Sequence, residues 1–288
     1  MSTVVSFNGT EIYTESFGSK DDPAILLIMG AASSMIWWEE EFCKKLSKRG
    51  FFVIRYDNRD TGKSTTYEPL KPGYTLSDMA EDAIHILDAY SIEKAVIMGM
   101  SLGGMLTQLI AVKYPQRVNA IVLLASLYIS KEFDNLLKSP DDVNELFSQF
   151  ANFNPKDEDE LLEFAFKQSS TTNKSNRPHD EKHIREMIKL DIKRARDYNS
   201  RINHFFVKPK EEEMNMLLKI NEINVPALVV HGTKDVVVPY AQGKMLAKTI
   251  PGAVLYTMEG AGHEINALDY DGVIDKICGI IIQEVFYD

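Results

Sequence analysis

Lys94-Ala95-Val96-Ile97-Met98-Gly99-Met100-Ser101-Leu102-Gly103-Gly104 joins a short apolar run to a glycine-rich turn around one serine. Residues 94–98 are apolar after the lysine, the composition of a strand covered on both faces. Residues 102–113 predict a helix that stops before Pro115. Between them Gly99-Met100-Ser101-Leu102-Gly103 matches G-x-S-x-G. The bare pattern is common by composition, so its context decides. In a strand–turn–helix setting the turn holds the serine in a strained conformation, and the flanking glycines have no Cβ to clash across the bend. The hydroxyl then projects above the strand ends, over a helix N-terminus whose dipole favours negative charge. The bland alternative is a glycine-rich helix start with no chemistry.

Outward from this stretch, strands and helices alternate. Residues 24–29 (AILLIM), 51–56 (FFVIRY) and 118–124 (VNAIVLL) read as buried strands, and residues 37–48 and 75–90 as helices with one apolar face. The chain begins with a predicted hairpin around Asn8-Gly9. Such alternation implies a mostly parallel sheet with helices on both faces. From residue 128 to 213 helical signals continue without a strand. Ser139-Pro140 and Asn154-Pro155 look like helix starts, residues 184–195 carry helical spacing, and the polar residues 169–178 read as a loop. Alternation then resumes: strands over 227–230 and 253–258, helices over 240–249 and 270–286. The expected organisation is an α/β core in two parts, 1–127 and 214–288, forming an eight-stranded sheet. An all-helical cap or lid, 128–213, interrupts it, and an insert of that kind normally covers something.

A serine hydroxyl needs a neighbouring base to act as a nucleophile near neutral pH. Of six histidines, His263 lies in Gly260-Ala261-Gly262-His263, right after the last strand and at the same sheet edge as Ser101. His85 falls within a helix, His179, His183 and His204 fall in the insert, and His231 is expected to pack beneath a loop. Asp235, after the strand over 227–230, is the expected acid that orients His263, with a capping or turn aspartate as the bland alternative. Loops at one edge of a parallel sheet converge on one crevice. The oxyanion donors expected are the backbone N–H groups of Leu102 and Ala31. Trp37, Trp38, Leu127 and Tyr128 follow sheet strands and are candidate substrate contacts. Phe133, Leu136, Leu137, Phe147, Phe150, Phe153, Phe164 and Phe166 are expected to form mainly the lid's own core.

With those residues in place the chain resembles the α/β-hydrolase fold superfamily across nearly its whole length. Asp57-Asn58-Arg59-Asp60-Thr61-Gly62-Lys63-Ser64 is similar to the family's D-x-R-G-x-G-x-S loop, with Asp60 in place of the usual glycine. The resemblance implies that Asp57 and Arg59 tie down the neighbourhood of the nucleophile. Met29-Gly30 at the oxyanion loop looks like the branch containing aclacinomycin methylesterase. Gly99 to Gly104 and Gly260 to His263 are similar to 3-oxoadipate enol-lactonases. These resemblances imply a serine hydrolase of the carboxylesterase type, cleaving an ester or lactone of a small apolar substrate through an acyl-enzyme. Ser101 excludes the aspartate-nucleophile dehalogenases, and Leu102 stands where proline iminopeptidases usually carry tryptophan. A cofactor-free perhydrolase or haloperoxidase and a C–C bond hydrolase share the triad. A slow-turnover signalling or sensor protein would keep it with little catalysis.

A formal net charge of −10 argues against a nucleic-acid partner. No stretch approaches the roughly 18 uninterrupted apolar residues of a membrane helix. Absence of a secretory signal, with Cys43 and Cys278 read as buried free thiols, leads to a cytoplasmic expectation. A small-molecule substrate, a monomer or homodimer, and no metal or organic cofactor complete the expectations.

Overall fold

The computed structural model describes residues 1–130, 145, 149, 157–178 and 180–285, with side chains to residue 280. It opens with the hairpin β1 (Ser2–Phe7) and β2 (Thr10–Phe17), turned at Asn8 and Gly9, whose φ values of 47° and 79° are those a tight two-residue turn demands. Then β3 (Ala24–Ile28), α1 (Glu40–Lys48), β4 (Phe52–Tyr56), α2 (Leu76–Ala89), β5 (Ala95–Met100), α3 (Leu102–Lys113) and β6 (Val118–Leu124) follow. The insert contributes α4 (Glu158–Thr172), α5 (Glu181–Arg194) and a 3₁₀ stretch, Tyr198–Phe205. After α6 (Glu211–Leu217) come β7 (Ala227–Gly232), α7 (Tyr240–Thr249), β8 (Val254–Met258) and α8 (Tyr270–Val285).

The eight strands form one sheet in the order β1-β2-β4-β3-β5-β6-β7-β8. β2 pairs antiparallel with both β1 and β4, and every other neighbour is parallel. β3, β4, β5 and β7 are buried along their whole length because helices cover both faces, which is why they read as apolar runs, with Arg55 in β4 and His231 in β7 as buried polar exceptions. Alternate side chains feed two cores. Leu26, Ile54 and Ile97 meet α2 and α3 on one face, while Leu27, Val53 and Met98 meet α1 and α8 on the other. Helix α2 starts where the sequence says it should: Thr75 Oγ1 accepts the Asp78 N–H, and Asp78 accepts the Thr75 N–H at 2.7 Å.

Several boundaries differ from expectation. The helix expected over 37–48 is a 3₁₀ turn, Met35–Trp37, followed by α1 after a break at Trp38 and Glu39. The loop expected over 169–178 begins only after α4 ends at Thr172. The boundary placed at 213/214 falls inside α6, whose Leu217 belongs to the sheet's core. The helix starts expected at Ser139-Pro140 and Asn154-Pro155 lie outside the described residues, as do Phe133, Leu136, Leu137, Phe147, Phe150 and Phe153. Phe166 packs against the small insert core of Leu162, Ala165 and Ile188.

The insert is tied to the sheet-edge loops by polar contacts. Arg194 pairs with the fully buried Asp57 at 2.9 Å. Asp60 takes φ 64°, the left-handed conformation that favours glycine and that aspartate tolerates better than most residues. Its carboxylate accepts from the Tyr67 N–H, the Tyr74 hydroxyl and Asn203 Nδ2 at 2.6, 2.7 and 3.0 Å, and Ser200 Oγ donates to its carbonyl. The departure from glycine thus supplies a link to the insert that glycine lacks. Arg59 makes a two-pronged pair with Asp82, each hydrogen bond 2.7 Å. Among the described residues no helix is long and apolar enough to cross a membrane.

The start of α3 is packed against the ends of β3 and β5 more closely than a side chain allows. A Cβ on Gly103 would lie 2.2 Å from Ile28 O, and one on Gly99 would lie 2.1 Å from Gly103 O. Gly103→Ala should therefore lower stability by about 1–3 kcal/mol or more, since backbone must yield. Gly279→Ala, exposed on α8 with nothing within 4 Å of the new methyl, should raise it by about 0.5–1 kcal/mol. Urea midpoints of the two variants moving in the same direction would contradict this account of the turn.

Candidate active site

Ser101 links β5 to α3 with φ 53° and ψ −116°. A positive φ in a non-glycine residue costs on the order of 1–3 kcal/mol and persists only when its surroundings hold it. Here the Ser101 N–H donates to Leu124 O at 2.9 Å, and its carbonyl accepts the Met105 N–H and Ser126 Oγ, both at 3.1 Å. Gly30 lies against the serine, since a Cβ there would come 3.3 Å from Ser101 Cβ.

Asp235 sits in the turn after β7, its side chain fully buried. Oδ1 accepts the N–H groups of Val237 and Val238 at 2.9 and 2.7 Å, and Oδ2 accepts from His263 Nδ1 at 2.8 Å. His231, also fully buried, donates Nε2–H to Val238 O at 2.8 Å and lies 3.4 Å from Asp235 Oδ2. Burial pushes the Asp235 carboxyl up, but the charge of His263 and the hydrogen bonds from His231 and His263 outweigh it and hold it at about 2. Since Nδ1 of His263 is committed to Asp235, the tautomer leaves Nε2 as the ring's acceptor. Ser101 and His263 line one cavity of about 640 Å³. Among the described residues the His263 ring bonds only Asp235. Contacts between such a base and its hydroxyl commonly tighten only when substrate binds.

Residues 29–32 cross the cavity beside Ser101, and Ala31 is part of its lining. Asn58 Nδ2 donates to Met29 O at 3.2 Å, and the Ala32 N–H donates to His204 Nδ1 at 2.9 Å. Leu102 opens α3 and buries its side chain in the core. Trp37 also lines the cavity, its Nε1 donating to Asp191 Oδ2 at 2.9 Å. The other three candidate substrate contacts are elsewhere. Trp38 is fully buried and stacks on Phe42 with ring centroids 5.7 Å apart. Leu127 and Tyr128 pack on the core, with Leu127 O accepting from Gln108 Nε2 and the Tyr128 N–H donating to Gln242. The chain leaving β6 is thereby directed toward α3 and α7, away from the described lining of the cavity.

The insert supplies polar cavity residues that sequence spacing did not single out. Asp191 accepts from Trp37 and from Ser34 Oγ, and burial pushes its carboxyl up. Arg201 Nη2 donates to Gln168 Oε1 at 3.2 Å, and its guanidinium lies 4.1 Å from the centre of the Tyr198 ring. His204 falls in the insert and His231 packs against the loop after β7, as the sequence predicts. The partners of His204 lie in distant loops, 172 residues away for Ala32 and 145 for Arg59, and no local pattern announces such contacts, whereas His231 bonds Val238 only seven residues on.

A family model described as the alpha/beta hydrolase fold matches residues 23–270. The chain is 29% identical over 280 residues to the rhodomycin D methylesterase DauP of Streptomyces sp. strain C5, covering 93% of each chain. It is 25% identical over 253 residues to 3-oxoadipate enol-lactonase 2 of Acinetobacter baylyi, covering 87% of this chain and 85% of that one. The crystal structure of the enol-lactonase from Burkholderia xenovorans LB400 superposes with a TM-score of 0.76 at 22% identity, covering 97% of this chain and 99% of the other.

The Asp235 carboxyl drops from an ordinary 3.8 to about 2 in the folded protein. A carboxyl depressed by folding contributes stability that is complete above its unfolded pKa, near pH 4, and is lost as pH falls through its folded value. The contribution is about 2 kcal/mol. The stability gap between the unmodified protein and Asp235→Asn should accordingly be wider at pH 5 than near pH 2. An equal gap at both pH values by urea unfolding would show that the two imidazoles do not hold this carboxylate.

Proposed function

Because the chain belongs to the α/β-hydrolase fold family, we propose that it is a serine hydrolase of the carboxylesterase type that cleaves an ester or lactone of a small molecule through an acyl-enzyme. One observation carries the reading. His263 is held by a buried carboxylate at 2.8 Å, on the same cavity that Ser101 enters from its strained turn.

In this proposal Nε2 of His263 takes the Ser101 proton as Oγ attacks the acyl carbon. Negative charge develops on the former carbonyl oxygen, and the N–H groups of Ala31 and Leu102 receive it, with the α3 N-terminus behind them. His263, now imidazolium, is stabilised by the Asp235 carboxylate and gives its proton to the departing alcohol oxygen. A water deprotonated by the same imidazole then attacks the acyl-serine, and Ser101 recovers its proton as the acid leaves. In a lactone, alcohol and acid leave as one opened chain.

The substrate class rests on the cavity and the relatives. A volume of about 640 Å³ suits a small molecule. Ala165, Ile184, Ile188 and Phe205 give the insert side an apolar surface facing Trp37, which favours a largely apolar acyl or ring group. A methylesterase and an enol-lactonase among the relatives support ester or lactone chemistry.

A fluorophosphonate probe should label the peptide containing Ser101, and Ser101→Ala should lose labelling together with about 10⁴-fold or more of its turnover on p-nitrophenyl esters. Labelling at another residue, or an Ala variant as active as the parent, would refute the assignment.

A further inference from the structure

His204 belongs to the 3₁₀ stretch of the insert, yet its ring is 4% exposed and lodged between two sheet-edge loops. Nε2 is 2.7 Å from Arg59 O, and Nδ1 is 2.9 Å from the Ala32 nitrogen. The carbonyl can only accept and the amide can only donate. The proton is therefore on Nε2, Nδ1 is the acceptor, and the ring is neutral. Burial, which pushes its pKa below the ordinary histidine value, acts in the same direction.

Three close points hold the loop it touches, beside a longer contact of 3.5 Å from Arg201 Nη1 to the Ala32 carbonyl. Asn58 fixes the Met29 carbonyl, Gly30 rests on Ser101, and His204 fixes the Ala32 N–H. Ala32 has φ 57°, a left-handed conformation that an alanine adopts only under constraint. The Ala31 N–H lies between the outer two of these points and meets no acceptor among the described residues. Without His204, the Ala32 amide would be buried with no partner, and Ala32 would keep only the longer Arg201 contact to its carbonyl.

We propose that His204 is a positioning residue for the oxyanion loop: by accepting the Ala32 N–H it fixes the turn that presents the Ala31 N–H to the reacting carbonyl oxygen. The inference rests on the serine-hydrolase reading above. It also ties catalysis to the seating of the insert, because His204 follows Ser200 and Asn203, which anchor the same stretch to Asp60. A seated 3₁₀ stretch and a formed oxyanion loop are then one state.

The test compares His204→Asn with His204→Gln. Asparagine places its carbonyl oxygen near the position of Nδ1 and keeps an acceptor for Ala32. Glutamine reaches toward the position of Nε2, keeps a donor for Arg59 O and gives up the Ala32 contact. On an ester that the unmodified protein turns over, His204→Gln should lose ~10-fold or more in kcat with KM within about twofold, as expected when an oxyanion donor is displaced. Its affinity for a trifluoromethyl ketone, whose adduct with Ser101 carries the oxyanion, should weaken by a similar factor. His204→Asn should recover most of both. Equal kcat in the two variants, losses that follow melting temperature alone, or unchanged trifluoromethyl ketone affinity would each overturn the proposal. Should neither variant fold, imidazole nitrogen NMR of the unmodified protein decides it, with His204 assigned through its contact to the Ala32 amide. A neutral ring protonated at Nε2 is expected, and an Nδ1-protonated ring or an imidazolium at neutral pH would overturn the assignment. Failure of the underlying reading looks different: the unmodified protein would then turn over no ester and take no fluorophosphonate at Ser101.

Discussion

The approach of α3 to the end of β3 is closer than van der Waals contact between side chains permits, and the arrangement of the site follows from it. With no Cβ at Gly103, the helix start can sit against the Ile28 carbonyl. With none at Gly99, the chain can fold back over its own next turn. The residue between them is left with φ 53°, and the same tight packing brings Gly30 of the neighbouring loop against its Cβ. One backbone constraint thus brings the Ser101 turn, the start of α3 and Gly30 of the neighbouring loop against one another. In the proposed hydrolase, such a neighbourhood would receive the charge that develops on an acyl oxygen.

The other half of the site is electrostatic rather than steric. A carboxylate removed from water is costly unless its lone pairs are used. Asp235 is fully satisfied, with two backbone amides on Oδ1 and an imidazole on Oδ2. The amides fix the carboxylate to the turn after β7, so its remaining oxygen has a defined direction in which to hold His263. His231 completes the enclosure from β7 itself and is fastened in turn to the Val238 carbonyl. Placement of the His263 ring is therefore a property of the β7 turn as much as of the glycine-rich loop that carries it.

The parts of this molecule legible from sequence are those where a local pattern has one physical cause. Apolar runs at β3 and β5, and at β4 apart from Arg55, reflect burial on both faces, and G-x-S-x-G in a strand–helix junction reflects the Gly99–Gly103 contact. The positions of Ser101, Asp235 and His263 after β5, β7 and β8 were legible because strands and helices alternate there. What was not legible depends on long-range contact. Residues 169–172 looked like a loop because they are polar. They are helical, and their polarity has another cause: Ser169 and Thr172, with Gln168 before them, line the cavity. Trp38 looked like a substrate contact from its place after a strand, but the chain breaks its helix there and turns the ring into the core against Phe42.

Asp60 shows how a departure from a family pattern can carry information. The family's loop usually has glycine at this position, as the left-handed turn would suggest, and aspartate pays a conformational cost there. Its carboxylate accepts three hydrogen bonds, one of them from Asn203 of the insert, and its carbonyl accepts another from Ser200. Arg194 reaches from α5 to Asp57 in the same loop, and Ser34 and Trp37 reach Asp191 on α5. These buried polar contacts would each leave an unsatisfied group if the insert moved away, so they act together rather than singly. The loop that the sequence marks as structural is thus where the insert is fastened, one residue from the carbonyl that fixes His204. The loop of residues 29–32, the insert and the sheet edge meet at residues 57–60, where Asn58 reaches Met29, Arg59 reaches His204 and Asp60 reaches Asn203.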